Sequence, residues 1–168
     1  MTKLQNMRVV EIPKFRAVSS GPKTLQEIFE NNDGFAIWKV EHKELIRESL
    51  YEPLDFLWHE ECDINKSVWI FPVKDNVSDS DVWPYEIVEF PGGIFLVATA
   101  DENDTEDLNQ TVANMHQWIK NSQVFAYGSF PRSGMCNMPN PDGMADRILN
   151  IAQQQIFLPL KIREEKKE

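Results

Sequence analysis

The sequence predicts an α+β protein made of two similar halves, and three observations carry that reading. Short runs rich in β-branched and aromatic residues alternate with stretches of helical periodicity. The order strand, helix, strands occurs twice. Between the two occurrences stands Tyr85 to Ala100, YEIVEFPGGIFLVATA, whose apolar runs are joined at Pro91-Gly92-Gly93 and predicted to form a hairpin. At 168 residues the chain has the length of one domain with a core that needs neither metal nor disulfide, and a single domain, 1–168, is expected.

The elements follow in order. Met7 to Ile12 and Phe15 to Ser19 read as one strand broken by Pro13, which confines it to an edge or bulge. Thr24-Leu-Gln-Glu27 has the form of a capping box, so a short helix starts there, with Leu25, Ile28 and Phe29 on one face. Asn31-Asn32-Asp33-Gly34 interrupts it. Phe35, Trp38, His42 and Leu45 then recur at helical spacing, which predicts a second piece running to about Leu50, before Pro53. Asp55 to His59 is a short aromatic strand. Ser67 to Val73 places Trp69 and Phe71 on one face and Val68 and Ile70 on the other, as a central strand covered on both sides does. Asp75 to Asp81 is a polar loop. Beyond Ala100, Asp104 or Thr105 caps a helix with carboxylates in its first turn and a buried stripe of Leu108, Val112, Met115 and Ile119, ending near Ser122. The passage to Pro141 reads as loop with one strand at Met135 to Met138. Met144 to Ile151 is a short helix, Gln154 to Ile162 a last strand with Pro159 marking an edge or bulge, and 163–168 a solvated tail.

Composition limits the function classes. The net charge is −10, from 17 basic and 27 acidic residues, and no helix-turn-helix pattern precedes Met7, so this chain alone is not expected to bind nucleic acid. Cys62 and Cys136 are far apart, without CxxC or histidine at metal spacing, and read as reduced thiols with no metal site. No window approaches the ~20 apolar residues of a membrane span, and the N-terminus lacks a leader pattern, so a cytoplasmic location is expected. No cofactor is expected. Ten Phe and five Trp are generous for this length and can supply the walls of a pocket.

The strings VEIPKFRAVSSG, DFLWHEE, SVWIFPVKD, YEIVEFPGGIFLVATA and QQIFLPLKI, in this order and spacing, resemble the GyrI-like effector-binding family, which is also found fused to AraC-type and multidrug-responsive transcription activators. The resemblance covers nearly the whole chain. It implies two βαββ units related by a pseudo-dyad, a curved antiparallel sheet with helices on one face, and a ligand cleft between the units. It also implies a stand-alone sensor or sequestering domain for apolar aromatic, including cationic, ligands.

Such a cleft needs aromatic walls and a buried carboxylate, because a desolvated cation requires ring faces and an opposite charge. Trp58, Trp69, Phe71, Trp83 and Phe95 lie on strands or strand ends of the matching strings, and soft Met115, Met135 and Met138 suit varied apolar ligands. The aromatics read equally as core, and for a methionine core is the commoner reading. The family's carboxylate sits on the penultimate strand of the second half, where this chain has Gly134-Met135-Cys136-Asn137-Met138. Any acid must therefore come from elsewhere, such as Glu60, Glu61 or Glu86. Two alternatives stand beside small-molecule binding. One is hydrolysis of strained electrophilic molecules in the same cleft, for which His42, His59 and His116 are the residues that titrate near neutral pH, although no Ser/His/Asp or Cys/His spacing supports nucleophilic catalysis. The other is an acidic regulator that contacts a separate, larger protein.

Overall fold

The computed structural model describes residues 6–30, 34–49, 55–139 and 143–164. The predicted interruption at Asn31 to Asp33 and the expected helix end near Leu50 and Pro53 lie outside these residues. The chain is α+β, and its described residues form nine strands, β1 (Arg8–Ile12), β2 (Phe15–Ser19), β3 (Phe56–His59), β4 (Ser67–Pro72), β5 (Glu86–Phe90), β6 (Gly93–Asp101), β7 (Phe125–Tyr127), β8 (Met135–Asn137) and β9 (Gln153–Ile162). Four α-helices accompany them: α1 (Leu25–Ile28), α2 (Phe35–Glu41), α3 (Thr105–Asn121) and α4 (Met144–Leu149). All strand pairs quoted below are antiparallel. Contacts divide the chain into two compact units, Pro13–Gly92 and a terminal unit formed by the chain up to Ile12 and from Gly93 onward.

The two units repeat one strand order. In the 13–92 unit the order is β5-β2-β4-β3, and in the terminal unit it is β1-β6-β9-β8, with β7 also on β9. The register repeats as well. Ala17 pairs with Pro72 and Phe56 with Ile70 in the first; Phe95 pairs with Pro159 and Met135 with Phe157 in the second. The two halves read from the sequence are thus borne out as two units of matching strand order.

Three expectations at the joints are corrected. Pro91-Gly92-Gly93 does not close a hairpin: β5 pairs with β2 and β6 with β1, so the corner carries the chain from one unit to the other. Positive φ at Gly92 (72°) and Gly93 (148°) is what the passage requires. The expected single strand from Met7 to Ser19 is two strands in different units, changed over at Pro13. Pro159 does not mark an edge, for β9 is bonded on both sides. Gly128 donates its N–H to the Pro159 carbonyl at 2.8 Å, so the side of Pro159 that lacks an N–H faces the break between β8 and β7. Pro72 uses the same device, its carbonyl accepting from the Arg47 N–H at 2.8 Å beyond the end of the β3 ladder.

Local chemistry sets the helices. Thr24 accepts from the Glu27 N–H while the Glu27 carboxylate accepts from the Thr24 N–H, the predicted capping box; those bonds hold the Glu27 carboxyl below the ordinary range. Helix α2 is shorter than its periodicity predicts. It caps at His42, and Ile46 then bridges to Val73, because a backbone segment there pairs with β4 where β3 no longer does. A turn of 3-10 helix at Asp79–Val82 occupies the predicted polar loop, closed by Ser78 and Asp81. Helix α3 is capped by Asp104, as read, and buries Met115 and Ile119 against Leu96, Ala98, Ile156 and Leu158. Strand β7 falls in the stretch that the sequence predicts as loop, since three residues between Ser122 and Gly128 carry too little pattern to register. Among the described residues no helix is long and apolar enough to cross a membrane.

Candidate functional site

The 13–92 unit assembles an aromatic cluster between its sheet and its helices. Alternation along β4 sends Trp69, Phe71 and Val73 to the helical side, where Val18, Ile28, Phe35 and Trp38 meet them. Phe35, fully buried, packs near Trp69 (5.9 Å between ring centroids) and Phe71 (5.7 Å), stacks with Trp38 (6.0 Å) and meets Tyr85 edge-on (4.8 Å). Trp69 and Phe71 are 4.7 Å apart. Phe29, half exposed where α1 ends, leans on Trp69 at 5.1 Å and opens the cluster to solvent.

A carboxylate meets the edge of this cluster at Trp69. Asp55, just before β3 and 8% exposed, accepts a hydrogen bond from Trp69 Nε1–H at 2.9 Å. Burial pushes its carboxyl above the ordinary carboxylate range, because the charged form loses hydration; the Trp69 bond and the Lys39 ammonium pull the other way. Lys39 places Nζ 4.7 Å from the centroid of Phe71, and Lys23 places Nζ 5.0 Å from that of Tyr85. Trp38 is 7% exposed, and its Nε1–H has no hydrogen-bond partner among the described residues. The arrangement joins ring faces and an opposite charge, elements that hold an aromatic cation.

The other residues named from the sequence are dispersed. Trp58 lies on the opposite face of the same sheet, the face that bears the stacked rings of Phe15, Phe56 and Phe90 (4.8 to 6.2 Å). Phe95 and Met135 occupy the corresponding face in the terminal unit; Phe95 sits edge-on to Phe157 at 6.4 Å, and Thr99, Asn137 and Gln155 are buried farther along. Met115 is fully buried in the α3 core, Met138 is half-buried after β8, and Trp83 is 78% exposed beyond the 3-10 turn. Glu61 and Glu86 are exposed and Glu60 is half-buried, in a turn after β3. His59 meets Ser67 at 3.2 Å as its cross-strand partner, a contact that the β3–β4 register alone produces. Buried Asp101 and Asp107 are tied to backbone N–H groups around the turn into α3, which accounts for them structurally. Among the described residues no three His, Cys, Asp or Glu side chains gather as a metal-ligand set, and neither Cys62 nor Cys136 is in a disulfide.

Asp55 is the residue that sequence reasoning missed. Its place in the repeat emerges only from the strand pairing. With Pro72 and Pro159 aligned, Phe56 falls in step with Met135 and Asp55 with Gly134, so the acid occupies the counterpart position in the other half.

Solved structures share this fold at low identity. SAV2435 bound to tetraphenylphosphonium matches with a TM-score of 0.52 and 14% identity over 94% of each chain. A hydrolase from Listeria innocua matches with 0.62 and 13%, over 93% of this chain and 92% of that one. EcmrR in its DNA complex matches with 0.60 and 13%, over 93% of this chain and 57% of that one. No family model matches the chain, and no curated protein matches it in sequence. The likeness establishes the α+β fold, which one of these neighbours uses with a small molecule bound.

Proposed function

We propose that this chain is a small-molecule-binding, effector-like domain that takes an apolar aromatic cation in the ring cluster around Asp55, as a sensor or a sequestering protein. The observation that carries the reading is Lys39. The protein's own ammonium already lies over a ring face within electrostatic reach of a buried carboxylate, so the site is chemically matched to a cation. A ligand entering past half-exposed Phe29 displaces that ammonium into solvent and places its rings against Trp69, Phe71 and Tyr85. Each aromatic contact is worth about 0.5–1.5 kcal/mol beyond burial and the cation–π term up to about 2 kcal/mol. The expected affinity is therefore micromolar. Trp58 lies on the opposite face of the sheet and Phe95 and Met135 in the terminal unit, so this reading does not use them.

Tetraphenylphosphonium and the neutral triphenylphosphine oxide provide the test, read by quenching of tryptophan fluorescence. The cation should bind and the neutral analogue should bind more weakly. Asp55→Asn should weaken the cation about tenfold, the worth of one charge-assisted contact, and leave the oxide unchanged. Lys39→Met should tighten the cation, because it removes the internal competitor. Equal binding of both probes, insensitive to both substitutions, refutes the proposal. Incubation with an aryl epoxide followed by mass spectrometry separates a binder from a hydrolase, since only a hydrolase returns a product with water added.

A further inference from the structure

The terminal unit carries a second, oppositely charged site. An open hollow of about 740 Å³ between α3 and the edge strand β7 is lined by Ala113, His116, Ile119, Lys120, Tyr127 and Arg163, among others. It adjoins a second hollow, sharing Lys120, Ala126 and Arg163 with it, to which Lys161 adds a further cation and Glu164 the one acid. In a chain of net charge −10 this is a local inversion of sign.

The polar groups are held in place. Arg163 donates its backbone N–H to Val124 O (2.8 Å) and its Nε–H to Ser122 O (3.0 Å), which fixes the guanidinium while both terminal nitrogens have no partner among the described residues. Lys120 stands one helical turn from His116, on the same side of α3, and neither it nor Lys161 has an ion-pair partner among the described residues. His116 Nδ1 and Tyr127 Oη are hydrogen-bonded to each other. Desolvation keeps the Tyr127 phenol above its ordinary pKa, so it is a neutral O–H at physiological pH. When that hydroxyl donates to Nδ1, the imidazole proton sits on Nε2 as a further donor. The floor is apolar, with Ala113, Ile119 and Ala126.

We propose that this hollow is a binding site for a small oxyanion ligand, a carboxylate or phosphate carried on a flat apolar body. The Arg163 fork and the Lys120 ammonium take the oxygens, and the alanines, Ile119 and the Tyr127 ring take the body. The site lies in a different unit from the Asp55 cluster and has the opposite charge preference, so each can fail without the other.

Phenyl phosphate, benzoate and inorganic phosphate test it by NMR on the whole chain. The three histidines give an internal control, because His116 is at the hollow while His42 and His59 are in the other unit. Saturable shifts of the His116 ring signals with phenyl phosphate or benzoate, His42 and His59 unmoved, are expected; which of the two binds tighter identifies the oxyanion. Arg163→Gln and Lys120→Gln should each weaken binding about tenfold or more, since a hydrogen bond to a charged group is worth about that factor. Both residues are exposed, and an unchanged far-UV CD spectrum confirms that the variants fold. The proposal is overturned if the aryl ligands leave His116 unmoved at millimolar concentration, if neither substitution weakens them, or if inorganic phosphate binds as well as they do.

Discussion

Replacing Trp69 by Phe isolates the hydrogen bond on which the Asp55 cluster depends. The substitution keeps a ring beside Phe29, Phe35 and Phe71 and removes the Nε1–H that Asp55 accepts. A hydrogen bond to a charged, buried group is worth about 1.5–3 kcal/mol, and for a chain of this size 1 kcal/mol moves the melting temperature by roughly 2–4 °C. Trp69→Phe should therefore lower the melting temperature at pH 7 by roughly 3–12 °C. The effect should depend on pH with a defined sign. Burial raises the folded carboxyl of Asp55, so the folded state holds its proton to higher pH than the unfolded chain and loses stability as pH rises from the ordinary value of 3.8 through the raised folded value. The Trp69 bond opposes that rise, and its removal enlarges the loss. The gap between wild type and Trp69→Phe should thus widen as pH rises through this window and narrow in acid, where both carry a neutral carboxyl. In an Asp55→Asn background the same substitution should cost only the roughly 0.5–1.5 kcal/mol of a neutral bond. Urea denaturation followed by CD for the four proteins of this cycle, between pH 4 and 8, measures both terms. An equal, pH-independent cost of Trp69→Phe in the two backgrounds would show that indole packing, and not the carboxylate bond, is what matters.

The remaining expectations concern the framework. Asp55→Asn alone should raise the melting temperature at pH 7, by an amount that vanishes as pH falls, since it removes a desolvated charge and keeps an acceptor for Trp69; a lower melting temperature at pH 7 contradicts the burial argument. Gly134→Ala should destabilise by more than the roughly 1–2 kcal/mol of a left-handed backbone, because φ is +77° and an added Cβ would lie 2.8 Å from Leu158 Cδ2 and 2.9 Å from the Phe157 carbonyl oxygen; chemical denaturation reads this directly. Met115→Ala should cost about 2–5 kcal/mol as a buried cavity in the α3 core, measured in the same way. Asp104→Ala should cost roughly 0.5–2 kcal/mol through loss of the α3 cap, with fraying at Thr105 to Asp107 visible by hydrogen exchange.

Local pattern determined much of this protein. Alternation through Ser67 to Val73, the Thr24–Glu27 box, the Asp104 cap and the Met115–Ile119 stripe are short-range chemistry, and all four are where the sequence puts them. The doubling of strand, helix and strands was legible for the same reason, as was the presence of Trp69 and Phe71 on one face. Partners were not legible. Whether β5 and β6 pair with each other or with β2 and β1 depends on contacts dozens of residues apart, and a Pro-Gly-Gly corner is compatible with either. Pro159 illustrates the same limit: the missing N–H demands a place without a ladder bond, and only the tertiary structure shows that this place is a break between two neighbouring strands instead of a sheet edge. Asp55 is the clearest case. An aspartate before an aromatic strand reads as a solvated strand start, and nothing within a few residues of it signals burial. Its role arises because the β3–β4 register brings it to the indole of Trp69, fourteen residues on, while the first turns of α2 deliver Phe35 and Lys39 from the other side. A carboxylate's environment is a property of the groups that converge on it in space, and that convergence is what folding alone decides.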